Sequence, residues 1–424
     1  MRNYLFCIAF VAFIAVLPAQ ESAVLTLKKA QEQVRNNAPI LLKKAYLDSI
    51  SIANQSILAK EKLPKLSLEA LGQYQTENIS IGGNGLPIDV SLPLESYRAY
   101  LQATIPIYDG GIKNANKNID FAVTERNQAQ NEVQLQNLKI QVNQLFFLIL
   151  ATRNQLEVLQ PNINTLESTI AFMEARYRNG ALLESELLQI QIKKESLLAQ
   201  QEQGNGTIAG AMEALNVLMG SSYTANTALL VNQDLSSLEV TNTIDRPEIQ
   251  MYKAQQNVFA AQMDGVSNEN NPKLSLFGQG GVGYPNPLNF PDVSTALYGI
   301  VGVQLQWPIL QWGIQERKKE KLRLETEQAN IDIAQFELGV RAQLKNYEAL
   351  QKSLQIEIEK YARIINMQEK VVQQTQSQLK NGVITSNDYL QQVNLAINYQ
   401  KERALLETKV LRTKIDMLTI LGKI

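Results

Sequence analysis

The sequence contains a long internal duplication. Pro64-Lys65-Leu66-Ser67-Leu68 returns as Pro272-Lys273-Leu274-Ser275-Leu276, an offset of 208 positions from 64 to 272. Ile105-Pro106-Ile107 returns as Trp307-Pro308-Ile309, and Gly111-Ile112 as Gly313-Ile314. Asn179-Gly180 returns as Asn381-Gly382, and these three pairs are all 202 positions apart (105 to 307, 111 to 313, 179 to 381). A period near 200 residues exceeds the ~20–50 residues of a solenoid unit. The chain is expected to fold as two similar halves, 21–225 and 226–424.

Both halves give the same order of signals. Each opens with a helix entered at a proline, after Asn36-Asn37-Ala38-Pro39 and after Asp245-Arg246-Pro247, where the missing N–H of proline had no partner. Strands follow, in hairpins at about 64–108 and 272–308. Apolar residues alternate with polar ones from Tyr97 to Ile107 and from Leu297 to Trp307, longer than the usual ~5–6 residue strand. Such runs reach about 36 Å at ~3.3 Å per residue, and ~9–11 tilted residues cross a membrane. A soluble sheet with one wet face gives the same alternation. Aromatic residues at the strand ends, Tyr108 in one half and Trp307 and Trp312 in the other, favour the membrane as interface anchors. The hairpin loops are Gly82-Gly83-Asn84-Gly85-Leu86-Pro87 and Tyr284-Pro285-Asn286-Pro287. The drop in offset from 208 to 202 makes the first loop six residues longer, a difference that exposed loops tolerate.

The pattern then turns helical for an unusual distance. From Ile112 to Asn179 there is one proline, Pro161, and no glycine; from Ile314 to Asn381 there is one glycine, Gly339, and no proline. A straight helix of that length is ~100 Å at 1.5 Å per residue, against a globular average of ~11–12 residues. Both stretches stop at Asn-Gly, where glycine takes the left-handed conformation of a helix end. Return helices are expected from Leu183 and from Thr385 to about Leu421, with tips at 179–182 and 381–384. Segment 221–245, rich in Ser, Thr and Asn, joins the halves.

The first 20 residues read as a secretory signal: Arg2, an apolar run from Leu5 to Leu17, then Pro18-Ala19-Gln20. A retained anchor is the other reading of this segment. Cys7 lies inside the run and is the one cysteine; the chain has no histidine. Disulfides, thiol nucleophiles, His-based acid–base catalysis and nearly all zinc or copper sites are therefore excluded from the mature chain. No catalytic group, cofactor or metal is expected. A net charge of −1 gives no bulk field for nucleic acid, and no G-x-x-x-x-G-K-[ST] loop is present.

The junctions Ile105-Pro106-Ile107-Tyr108-Asp109-Gly110-Gly111 and Trp307-Pro308-Ile309-Leu310-Gln311-Trp312-Gly313 each resemble the Pro-Leu-Phe-Asp-x-Gly element of the TolC-like outer-membrane efflux family. The tip segments Arg176–Gly180 and Gln378–Gly382 are similar to family elements too, and the resemblance spans the mature chain. It implies an α+β membrane protein of the Gram-negative outer membrane, extending into the periplasm. In that family, four strands per chain close a trimeric 12-stranded barrel, continued by an α-helical coiled-coil barrel. It implies a passive exit duct for small molecules or proteins, served by a periplasmic adaptor and an inner-membrane RND or ABC transporter. The competing class, a periplasmic coiled-coil adaptor or structural protein of an envelope complex, would carry a single long hairpin.

The resemblance also points to residues. Asp388 and Glu186, each six positions beyond a tip glycine, correspond to the family's acids at the periplasmic aperture. Thr385-x-x-Asp388 equally matches a helix capping box, so local capping is the plain alternative. Tyr177, Arg178, Asn179, Gly180, Ala181 and Leu182 at one tip, with Leu379, Lys380, Asn381, Gly382, Val383 and Ile384 at the other, are candidate adaptor-docking residues. Solvated turns would look the same. Ile384 and Gln391 depart from the family, standing where a helix-linking Arg and a second acid ring can sit.

Overall fold

The computed structural model describes residues 24–81, 90–231, 243–289 and 292–424. The expected signal at 1–20, the 82–87 loop and residues 232–242 of the connecting segment lie outside the described residues.

The elements run β1 (Leu25–Thr26), α1 (Leu27–Asn37), α2 (Ile40–Lys60), β2 (Lys65–Tyr74), β3 (Ser80–Ile81), β4 (Val90–Ser91), β5 (Glu95–Tyr108), α3 (Ile112–Arg178) and α4 (Glu184–Met219). After β6 (Leu229–Leu230) the order helix, strands, long helix, return helix recurs as α5 (Pro247–Asn268), β7 (Lys273–Tyr284), β8 (Ala296–Gln306), α6 (Ile314–Lys380) and α7 (Ser386–Leu421). The long helices are 67 residues each and the return helices 36 each. Among the described residues no helix is long and apolar enough to cross a membrane.

The chain divides into two compact units, neither of them contiguous in sequence. One comprises Met1–Ala38, Leu138–Thr241 and Asn346–Leu418. Its core is formed where the two helical hairpins pack together: Leu159, Ile163, Leu166, Met173, Ile190 and Leu197 meet Leu379, Tyr389, Val393 and Ile397. Each such side chain, fully buried, contributes roughly 1.5–3 kcal/mol. Helix α1 was not foreseen in the sequence. Thr26 Oγ1 accepts from Lys29 N at 3.2 Å to cap it, and its buried Gln31 donates to Asn143 of α3 at 2.7 Å. The connecting segment supplies β6, which pairs in parallel with β1.

The other unit comprises Pro39–Asn137, Asn242–Lys345 and Thr419–Ile424. It holds a four-stranded antiparallel sheet in the order β2-β5-β7-β8, leaving β2 and β8 as edges. The short pair β3–β4 prolongs the first hairpin. Helix α5 starts at Pro247 as expected, whereas Pro39 precedes the first residue of α2. The entry to α5 is fixed by Arg246, 7% exposed, which pairs with Glu248 and donates to Thr419 O at 3.0 Å. Its guanidinium lies 5.7 Å from the Phe336 ring centroid.

Candidate functional site

Strand side chains alternate between faces, so the register sorts the sheet into two surfaces. On one face lie Leu66, Leu68 and Ala70 of β2, and Ala99, Leu101, Ala103 and Ile105 of β5. Leu276 and Val282 of β7 and Leu297, Val301 and Val303 of β8 share it, with glycine at 278, 280 and 299. The paired rows from 66 to 70 and from 297 to 305 put no charge on this face. Leu68 is 75% exposed and Leu297 86% exposed in the single chain. The opposite face carries Lys65, Ser67 and Glu69, then Arg98, Tyr100, Gln102 and Thr104, then Lys273, Ser275, Phe277 and Gln279, then Tyr298, Gln304 and Gln306. Gln279 donates to Gln102 at 2.7 Å and Tyr100 Oη to Glu69 at 2.7 Å. One face thus suits hydrocarbon and the other water, the arrangement of a membrane barrel wall.

The apolar face is bounded by aromatic rings at both ends. Tyr97 and Tyr284 stack at 5.0 Å at the end remote from the helices. Tyr108 ends β5, while Trp307 and Trp312 lie just beyond β8 and are 58% and 85% exposed. About ten residues separate the two belts, which at ~3.3 Å each and a tilt near 40° is ~25 Å, the height of a barrel's apolar band. The outer belt escaped sequence reading, although Tyr97 heads the same alternation that identified the strand.

The strand-to-helix junctions differ between the halves. Asp109 accepts from Gly111 N at 3.1 Å and Lys113 N at 3.0 Å, capping α3, while Gly110 and Gly111 supply positive φ. In the second half Gln311 replaces the acid and Trp312 takes φ of 51°, a conformation side chains resist.

The helical tips lie in the other unit. Both turns close alike, with Gly180 and Gly382 at φ of 71° and 73°. Ala181 N donates to Arg176 O and Val383 N to Gln378 O, both at 2.9 Å, so orphan carbonyls of the long helices are satisfied. Tyr177, Arg178, Asn179, Gly180 and Ala181 are exposed, as are Lys380, Asn381, Gly382 and Val383; Leu182 and Ile384 are half-buried and Leu379 is buried.

Two side chains of the first tip hold the second. Arg176 donates to Lys380 O at 2.9 Å, at the negative end of α6. Glu186 accepts from Ser386 N at 2.5 Å, at the positive end of α7. Asp388 is exposed, and its Oδ2 accepts from Thr385 N at 3.1 Å and Thr385 Oγ1 at 2.7 Å. Those hydrogen bonds hold its carboxyl below the ordinary carboxylate range. The hydroxyl of Tyr389, one residue on, is pushed up by burial. Glu186 and Asp388 therefore lie at one end of the helical unit in different roles: Asp388 closes its own turn and Glu186 reaches across to the neighbouring helix.

The sequence model of the outer membrane efflux protein family matches residues 26–221. A sequence search of curated proteins finds no match. In structure, the chain is similar to CusC, with a TM-score of 0.67 and 16% identity over 93% of this chain and 91% of that one. It is also similar to CmeC of Campylobacter jejuni, with a TM-score of 0.65 and 15% identity over 94% and 85%. For the open-state channel MtrE of Neisseria gonorrhoeae the TM-score is 0.60, with 16% identity over 94% and 88%. Residues 26–221 thus match the outer membrane efflux protein family, and the whole chain, with its amphipathic four-stranded sheet and paired long helical hairpins, has the fold of these outer membrane channels.

Proposed function

We propose that the chain is the outer-membrane duct of a tripartite efflux or type I secretion system, working as a homotrimer. The observation that carries this reading is the sheet. Its apolar face is open and both edges, β2 and β8, are unpaired in the single chain. Lipid does not tolerate open edges, so copies must pair edge to edge. Three copies give twelve strands. The helices next to those edge strands in the chain agree: Leu42, Tyr46 and Ile50 form an exposed stripe on α2, and Leu324, Ile331 and Leu338 an exposed heptad row on α6.

The internal duplication then supplies two barrel hairpins and two helical hairpins per chain. The tips 179–182 and 381–384 dock a periplasmic adaptor, which links the duct to an inner-membrane RND or ABC transporter. Asp388, repeated three times, makes a carboxylate ring at the periplasmic aperture, and Glu186 acts beside it by positioning α7. Such a ring favours cations and binds multivalent ones. Detergent-extracted protein is expected to run as a trimer and to form channels in planar bilayers. A multivalent cation added on the tip side is expected to block them, and Asp388→Asn to weaken that block. A monomeric protein without conductance would overturn the reading; conductance with unchanged block would remove only the role of Asp388.

A further inference from the structure

We propose that the water-facing side of the barrel sheet is a selectivity segment for anions with an aromatic or apolar body. This rests on the channel reading above and assigns its cargo a chemical class. By register, three fixed cations share that face: Lys65 on β2, Arg98 on β5 and Lys273 on β7. None of the three forms an ion pair among the described residues. Lysines at strand ends often reach lipid headgroups. Here their parity places Lys65 and Lys273 with Gln102 and Gln279, on the side opposite the apolar face. The acid among them, Glu69, is already engaged, accepting from Tyr100 Oη at 2.7 Å and from Ser67 Oγ at 3.3 Å.

Between the cations the face is aromatic. Phe277 lies across Gly302 of the next strand: a side chain at 302 would meet the Phe277 ring atom Cζ at 2.7 Å. Tyr100 packs beside Tyr298 at 6.4 Å. The wall therefore alternates full positive charge with apolar ring surface. That pattern complements an amphipathic carboxylate or sulfonate, which pairs its charge with a lysine and its body with a ring. It repels an organic cation of the same size.

The test uses the full trimer in planar bilayers at low salt, where a Debye length of ~10 Å or more leaves wall charges legible. An Asp388→Asn background removes the acid proposed to ring the aperture, while Glu186 stays bonded to Ser386 N. A KCl gradient is expected to show chloride passing more readily than potassium, with the preference reduced in K65Q/K273Q, where Arg98 alone remains. 8-Anilinonaphthalene-1-sulfonate is expected to interrupt the current. That block should weaken about threefold or more in K65Q/K273Q and in Phe277→Ala, each checked first for trimer migration. Tetraphenylphosphonium should leave the current unchanged. Potassium preference in the Asp388→Asn trimer would overturn the proposal while leaving the channel reading intact, and so would block by the phosphonium that disappears in Glu69→Gln. Absence of any conductance would overturn both.

Discussion

The two helical hairpins end in the same turn, but they are not secured in the same way. The second turn is bracketed by Arg176 at the end of α6 and Glu186 at the start of α7, both from the first hairpin. No side chain of the second hairpin bonds back to the turn at 179–183 among the described residues. The strand-to-helix junctions divide similarly. The first is built with Asp109 and two glycines at positive φ; the second has Gln311 and a strained, exposed Trp312. At the tips the first half is thus the support and the second the dependent copy, whereas at the first junction Asn271 of the second half donates to Gly110 O at 2.7 Å. The two copies therefore support each other unequally, and at the tips the first sets the position of the second.

The comparison breaks most visibly at the junctions. Gly110 has φ of 74°, and a Cβ there would lie 2.8 Å from Asn271 Cβ. Gly110→Val combines positive-φ strain with overpacking, together about 3 kcal/mol or more. It is expected to abolish the proposed trimer, read by native gel migration of the detergent-extracted protein. Gly313→Val meets only Glu316 Oε2, at 3.8 Å, so strain of ~1–2 kcal/mol is the expected cost and trimer should survive. Equal losses would show that the two junctions are not different in kind.

At the tips, Glu186→Ala leaves the Ser386 amide without its partner, a cost of about 1–3 kcal/mol. Hydrogen exchange at 386–389 is expected to accelerate tenfold or more while 178–181 stays as it was. Acceleration at both tips alike would make the clamp mutual rather than one-sided. A smaller effect is expected from Asp109→Ala, which removes the cap of α3 at about 1 kcal/mol and loosens 112–115 in the same measurement. Placing the acid in the other copy, Gln311→Asp, is expected to protect 314–317, sharpening the view that the second junction merely lacks its cap.

The smallest effect is the pH response of Asp388. Its folded pKa is depressed by the two Thr385 hydrogen bonds. The contribution of this carboxylate is therefore complete above ~3.9 and is lost as pH falls through the lower folded value. Exchange at 386–389 is expected to stay slow through pH 4 and to rise below it. In Thr385→Ala the rise should shift to the ordinary carboxylate range.

Much of the fold was legible because it rests on local, repeated signals. The Asn-Gly stops placed both long-helix ends to within a residue, since only glycine takes that turn without strain. The second strand of each hairpin followed from alternation, the first from the repeated Pro-Lys-Leu-Ser-Leu, and the count of four from the family resemblance. The contacts that hold the tips together were not legible. Arg176 and Lys380 are 204 positions apart, and Glu186 and Ser386 are 200 apart, so no periodicity connects them. The capping role of Asp388 could be read from Thr385-x-x-Asp388, because the partner is three residues away. Helix α1 was hidden for a different reason: at 11 residues it is short, and only Leu27, Ala30 and Val34 mark its apolar stripe.

Neither compact unit is a continuous piece of chain, and this governs when each can form. The parallel pair of β1 with β6 joins Leu25 to Leu229, and the hairpin core needs Tyr389 and Ile397 as well. The sheet-bearing unit waits longer still, since it includes Thr419–Ile424 and anchors Arg246 on Thr419. Contacts of such sequence separation make folding slow. A chain made from its N-terminus can complete neither unit until its last residues arrive. Until then each unit lacks part of its packing, and keeping the unfinished chain from wrong contacts becomes as much a condition for making this protein as the stability of the finished fold.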